Sequence, residues 1–171
     1  MIRSLGATAL ASHETKKESE IPLSGPNIVL MVADDMGYGD FGLYSEGRVH
    51  TPALDELASQ GIRLTQHYAG SAVCSPSRAA LLTGRYPIRT GAVTPQEVLG
   101  NDRIALDEAT IADSFKSAGY ATGMVGKWHN GALDPRFHPN ARGFDEFAGF
   151  RGGWADYYKW NLDRNGVLEK S

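Results

Sequence analysis

Cysteine is nearly absent. A single one, Cys74, stands in 171 residues, and this excludes an internal disulfide framework. A surplus of charge is also missing: 17 basic residues stand against 20 acidic ones, a formal net charge of -3. No strong field would therefore draw the chain onto nucleic acid or an anionic membrane. No apolar run approaches the roughly 18 residues that a transmembrane helix requires, so no span is expected. Internal repeats are lacking too. What is present is ordinary for a folded domain, 42% hydrophobic and 22% charged residues, which argues against disorder of the whole chain. A chain of this length suits one domain able to bury roughly 70% of its unfolded surface. Glycine is the one high count, at 20, and points to a loop-rich fold.

The first 25 residues differ from the rest. Arg3, a short apolar run from Leu5 to Leu10 and the small-x-small ending Ala9-Leu10-Ala11 read either as a short secretory signal or as a solvated tail. Residues 26–171 read as the folded part. Asn27 to Ala33 (NIVLMVA) is a continuous apolar run that predicts a strand buried on both faces. Thr51-Pro52 predicts a helix start with Leu54, Leu57 and Ala58 as its stripe and Gly61 as its stop. Ile62 to Tyr68 alternates like a strand. Ser75-Pro76 opens a second helix ending at Gly84, and a third runs near Thr110 to Ala118 with Gly119 as its stop. Tyr120 to Val125 predicts another strand; beyond Trp128 no periodicity is clear. Strands alternating with helices imply an α/β fold around a mostly parallel, mixed sheet.

Three segments are unusual for purely structural polypeptide. Asp34-Asp35 closes the first predicted strand, and ligand sites of open α/β sheets gather at the carboxyl ends of strands. Two adjacent carboxylates there suit a hard divalent cation, or else a solvated turn. Cys74 stands just before a predicted helix N-terminus, which favours an anion, and Arg78 lies one turn on. The alternative is a small buried cysteine. Lys127 and His129 flank Trp128, and at a spacing of two in extended chain they share a side. The alternative is a surface lysine and a satisfied histidine. His13 falls in the tail, and His50, His67 and His138 match no catalytic position.

The run Cys74-Ser-Pro-Ser-Arg-Ala-Ala-Leu-Leu-Thr-Gly-Arg85 closely resembles the signature of the type I, formylglycine-dependent sulfatases. NIVLMVADDMGYGD, Gly126-Lys127-Trp128-His129 and Gly143-Phe144-Asp145 follow the same family order, and the resemblance spans roughly Pro26 to Tyr158. It implies an alkaline-phosphatase-like α/β fold and an arylsulfatase-like hydrolysis of sulfate esters. It further implies that Cys74 is converted to formylglycine (3-oxoalanine) by a formylglycine-generating enzyme, which reads the C-x-P-x-R core. By the same resemblance Asp34, Asp35 and residue 74 would bind a divalent metal, Ca²⁺ in preference to Mg²⁺ given oxygen ligands. Arg78 would hold the formylglycine hydroxyl, Lys127 would contact both the nucleophile and the sulfate, and His129 would hydrogen-bond the formylglycine hydroxyl.

In the implied mechanism the hydrated aldehyde attacks sulfur in line and expels the alcohol. Its second hydroxyl then collapses to the aldehyde and releases sulfate. Phosphonate and phosphodiester hydrolases share the C-x-P-x-R core and form the rival reading; a non-catalytic fragment is the third. Family members are much longer than 171 residues, so the chain is expected to be an N-terminal portion, incomplete in its sheet and inactive or feeble alone. Asn130 replaces the family's usual leucine, and Trp154 stands near a position where many members carry a sulfate-binding serine or histidine. Many members are exported, which would agree with a signal at the N-terminus; no compartment is assigned.

Overall fold

A computed structural model describes residues 25–170; the predicted tail or signal lies outside the described residues, Gly25 apart. Four α-helices are described: α1 (Pro52–Gln60), α2 (Cys74–Thr83), α3 (Pro87–Thr90) and α4 (Ile111–Ser117). The strands are β1 (Gly123–Lys127), β2 (Glu146–Phe150), β3 (Asn161–Arg164) and β4 (Val167–Lys170), joined in that order into one sheet. β1 and β2 are parallel, with Met124 opposite Phe147 and Lys127 opposite Phe150, while β2–β3 and β3–β4 are antiparallel. The sheet is therefore mixed, as expected for the α/β class. None of the described helices is long and apolar enough to cross a membrane.

The helix boundaries follow from local chemistry. α4 begins at Thr110, whose hydroxyl accepts the Asp113 N–H at 3.2 Å while the Asp113 carboxylate accepts the Thr110 N–H at 2.8 Å. This reciprocal arrangement satisfies two donors that a helix start would leave bare. The helix ends at Gly119, at φ 87°. There the Gly119 and Tyr120 amides bond back to the carbonyls of Lys116 and Phe115, the double closure that a left-handed glycine permits. α1 starts on Thr51 and Pro52 and ends before Gly61, and α2 ends in Gly84 at φ 66°.

Two predicted strands are not formed. Residues 27–33 make no sheet pairing among the described residues, and their side chains are exposed, Val29 at 81% and Met31 at 70%. A continuous apolar run becomes a buried strand only where neighbours cover both faces, and no described element does so. Asp34-Asp35 accordingly follow an unpaired segment. Ile62 to Tyr68 is likewise irregular and exposed. The strand predicted at Tyr120 to Val125 lies two to three residues later, at β1.

The core sits in the second part of the chain. Ala79 of α2 packs with Ala92 and Ile104, and Leu82 covers them. Trp128 is fully buried, donates its indole N–H to the Phe137 carbonyl at 2.9 Å and meets Phe144 edge-on. β3 and β4 turn at Asn165-Gly166, both at positive φ, the dipeptide preferred in a two-residue hairpin turn.

Candidate functional site

The N-terminus of α2 is anchored from within. Ser75 and Pro76 are buried, and the Ser75 hydroxyl donates to the Asp102 carbonyl at 2.7 Å. The Asp102 carboxylate, 2% exposed, accepts the Gly131 N–H at 3.1 Å. The start of α2, where Cys74 stands, is thus tied through one residue to the loop that follows His129. Cys74 is a free, half-buried thiol at the first position of α2. Arg78, four residues on, shares its helix face.

Arg78 ties α2 to the end of β1 by donating to the Lys127 carbonyl at 2.6 Å. Its guanidinium also lies 3.7 Å from one Asp34 oxygen, while the Lys127 ammonium stands 3.0 Å from the other. Both cations are largely buried, with side chains 15% and 9% exposed, whereas Asp34 is 42% exposed. Removing charge from water is costly unless partners compensate, and here one half-exposed carboxylate serves two enclosed cations. The result is a pocket of concentrated positive charge suited to an anion. Asp34, Arg78 and Lys127 all line a cavity of about 580 Å³ whose walls are otherwise mainly apolar, among them Val32, Leu81, Ile111 and Phe115.

His129 lies just past β1 and is nearly buried, at 3% exposure. Its backbone is left-handed, φ 52°, rare for a side chain this bulky. That geometry is held by hydrogen bonds from Trp128 N–H to the Phe150 carbonyl and from His129 N–H to the Arg151 carbonyl, each 3.0 Å. Strain maintained by its surroundings is common at functional positions. His129 Nε2 stands 3.0 Å from the Pro95 carbonyl and 3.9 Å from Glu97 Oε1.

Of the residues singled out from sequence, Asp34, Arg78 and Lys127 are in direct contact. Cys74 shares the helix of Arg78, and His129 shares the strand exit of Lys127. Asp35 has φ 55° and follows Asp34 at the same turn. Among the described residues no three His, Cys, Asp or Glu side chains converge as a metal site. Asn130 is buried and donates to the Trp128 carbonyl at 3.1 Å, while Trp154 is 81% exposed. Sequence reasoning missed Asp102 and Glu97, because neither falls in a motif and both act on residues far away in the chain.

The Sulfatase family model matches residues 26–168. Arylsulfatase H of Canis lupus familiaris is 47% identical over 138 residues, covering 74% of this chain and 25% of that protein. N-acetylgalactosamine-6-sulfatase of Sus scrofa is 49% identical over 134 residues, with 72% and 25% covered. The chain thus spans about a quarter of the length of these curated relatives. Among solved structures, Ps i-CgsB superposes with a TM-score of 0.78 at 37% identity over 85% of this chain and 37% of that one. A putative sulfatase from Bacteroides fragilis, yidJ, superposes with a TM-score of 0.63 at 25% identity, covering 77% and 33%. The signature around Cys74, the collinear motifs, the α/β fold and these matches agree: the chain belongs to the sulfatase family.

Proposed function

We propose that this site hydrolyses sulfate esters, with residue 74 as the nucleophile after conversion of Cys74 to formylglycine by a formylglycine-generating enzyme. The observation that carries the reading is the paired Arg78 and Lys127, two enclosed cations, one on the helix that begins with Cys74 and one at the end of β1. Family members generally depend on calcium and formylglycine. A sulfate ester presents a weakly electrophilic sulfur ringed by negative oxygens, so catalysis needs a strong nucleophile and cationic stabilisation.

In this reading Arg78 orients the residue 74 hydroxyl and adds positive charge. Lys127 neutralises the sulfate oxygens as the bond from sulfur to the alcohol oxygen breaks. His129 hydrogen-bonds the nucleophile's hydroxyl. Asp34 and Asp35 would hold a calcium ion with two hard oxygen donors, the kind it prefers, and the ion would supply positive charge to the sulfate. Their number does not suffice: with residue 74 they fall short of the six to eight oxygens Ca²⁺ takes, and the described residues do not complete the set.

The test is turnover of an aryl sulfate and of the phosphate ester of the same alcohol, with the full-length protein after maturation and with Cys74→Ala as control. Preference for the sulfate ester, abolished in Cys74→Ala, is the expected outcome. Preference for phosphate would transfer the site to phosphoester hydrolysis, and turnover surviving Cys74→Ala would remove residue 74 from the chemistry. Replacing Arg78 by Ala is expected to cost about 10²–10³-fold in kcat, the scale seen when a preorganised donor to a developing charge is deleted.

A further inference from the structure

The surroundings of His129 determine which of its ring nitrogens carries the proton. Nε2 lies 3.0 Å from the Pro95 carbonyl oxygen. A carbonyl can only accept, so this contact requires hydrogen on Nε2. The neutral ring then bears its lone pair on Nδ1, and that atom is buried with no hydrogen-bond partner among the described residues. A buried acceptor left unsatisfied is costly and uncommon in a native protein, so its presence calls for an explanation.

Glu97 follows Pro95 by two residues and holds the ring from another side. Its Oε1 is 3.9 Å from His129 Nε2 and also accepts the Gly153 N–H. Gly153 in turn packs against the imidazole: a Cβ built there would stand 2.6 Å from Cε1 and 2.8 Å from Nε2. Among the described residues, Glu97 is the acidic group within 4 Å of a ring nitrogen. The Pro95 carbonyl therefore fixes the tautomer, while Glu97, by holding Gly153 against the imidazole, keeps the ring in place on that carbonyl.

We propose that Glu97, together with the Pro95 carbonyl, is a positioning pair that reserves His129 Nδ1 as the proton-accepting atom of the site. The inference rests on the sulfatase reading for what Nδ1 accepts, the hydroxyl proton of the residue 74 nucleophile. In that step the O–H bond breaks and an Nδ1–H bond forms. The Nε2 hydrogen stays on the Pro95 carbonyl throughout. The logic is that of a histidine base whose tautomer is set by the acceptor on its other nitrogen, here a backbone carbonyl.

Nitrogen-detected NMR of the His129 side chain in the full-length protein tests this without reference to turnover. A protonated Nε2 and a bare Nδ1 are expected in the native protein. Glu97→Ala should free Gly153, let the imidazole move off the Pro95 carbonyl and so give a mixture of tautomers, with kcat lowered about 10²-fold, the lower end for a positioned acid–base group, and KM little changed. Glu97→Gln keeps an acceptor for Gly153 and should restore the single tautomer while recovering only part of kcat. A native His129 protonated on Nδ1, or an Nε2–H tautomer unchanged in Glu97→Ala, would overturn the proposal. If the tautomer behaves as expected and no sulfate ester turns over, the positioning stands and the catalytic reading fails.

Discussion

Residues 25–73 and residues 74–163 are packed on different terms. In the first stretch only Ser45 is buried, and the apolar side chains from Ile28 to Val32 are exposed by about half or more. In the second lie all the buried aliphatic and aromatic side chains among the described residues, from Ala79 to Phe147. The residues proposed for the site divide along the same line. Cys74, Arg78, Lys127 and His129 stand on the packed part, each held by backbone or buried hydrogen bonds. Asp34 and Asp35 stand on the other, linked to it by two ion pairs at a half-exposed carboxylate. The cationic side of the proposed site is thus built by local packing, and the acidic side is not.

Substitutions on either side should reveal this contrast. The largest loss is expected from Trp128→Ala, which removes a fully buried ring together with its bond to Phe137. About 3–5 kcal/mol should disappear from the urea unfolding free energy. Ser75→Ala deletes one hydroxyl from the α2 anchor and leaves the Asp102 carbonyl short of a donor. A loss of about 1–3 kcal/mol is expected there, again by urea titration.

Asp145 offers a pH-dependent handle on the packed part. Its carboxylate is held down to about 2, chiefly by the Lys116 ammonium at 2.6 Å and then by bonds from Thr122. It joins α4 to the approach to β1. A carboxyl whose folded pKa is depressed contributes stability above its unfolded value of about 3.9, and that contribution fades as pH falls through the folded one. Asp145→Asn should therefore be less stable than the native chain at neutral pH. The gap should close between about pH 4 and pH 2 in thermal melts taken across that range. Smallest of all is Val29→Ser, on the exposed run: a change within about 0.5 kcal/mol is expected, and a loss approaching that of Trp128→Ala would erase the contrast.

The parts of the fold legible in the sequence were those dictated within a few residues. Thr51 with Pro52 marked a helix start, and Gly61, Gly84 and Gly119 marked helix ends, because these start and stop signals are local chemistry. The strand read into residues 27–33 failed because burial of a strand depends on neighbours that its own sequence does not contain. The β3–β4 hairpin carried a usable signal in Asn165-Gly166 that the aromatic and glycine-rich surroundings obscured. At the proposed site, Asp34, Arg78 and Lys127 stood out as motif residues and the structure brings them together. The roles of Asp102 and Glu97 were not, because each acts across 27 or more residues.

Hydrogen exchange of the described chain, followed residue by residue, tests the division most directly. Amides of β1 and β2, with those of Trp128 and His129 bonded to the carbonyls of Phe150 and Arg151, should exchange slowly and as one unit. Those of residues 27–33 should exchange near the rate of unfolded chain, since no sheet pairing shields them. Equal protection at residues 27–33 and in β1 would contradict the account, for the acidic side of the site would then be as firmly built as the cationic one.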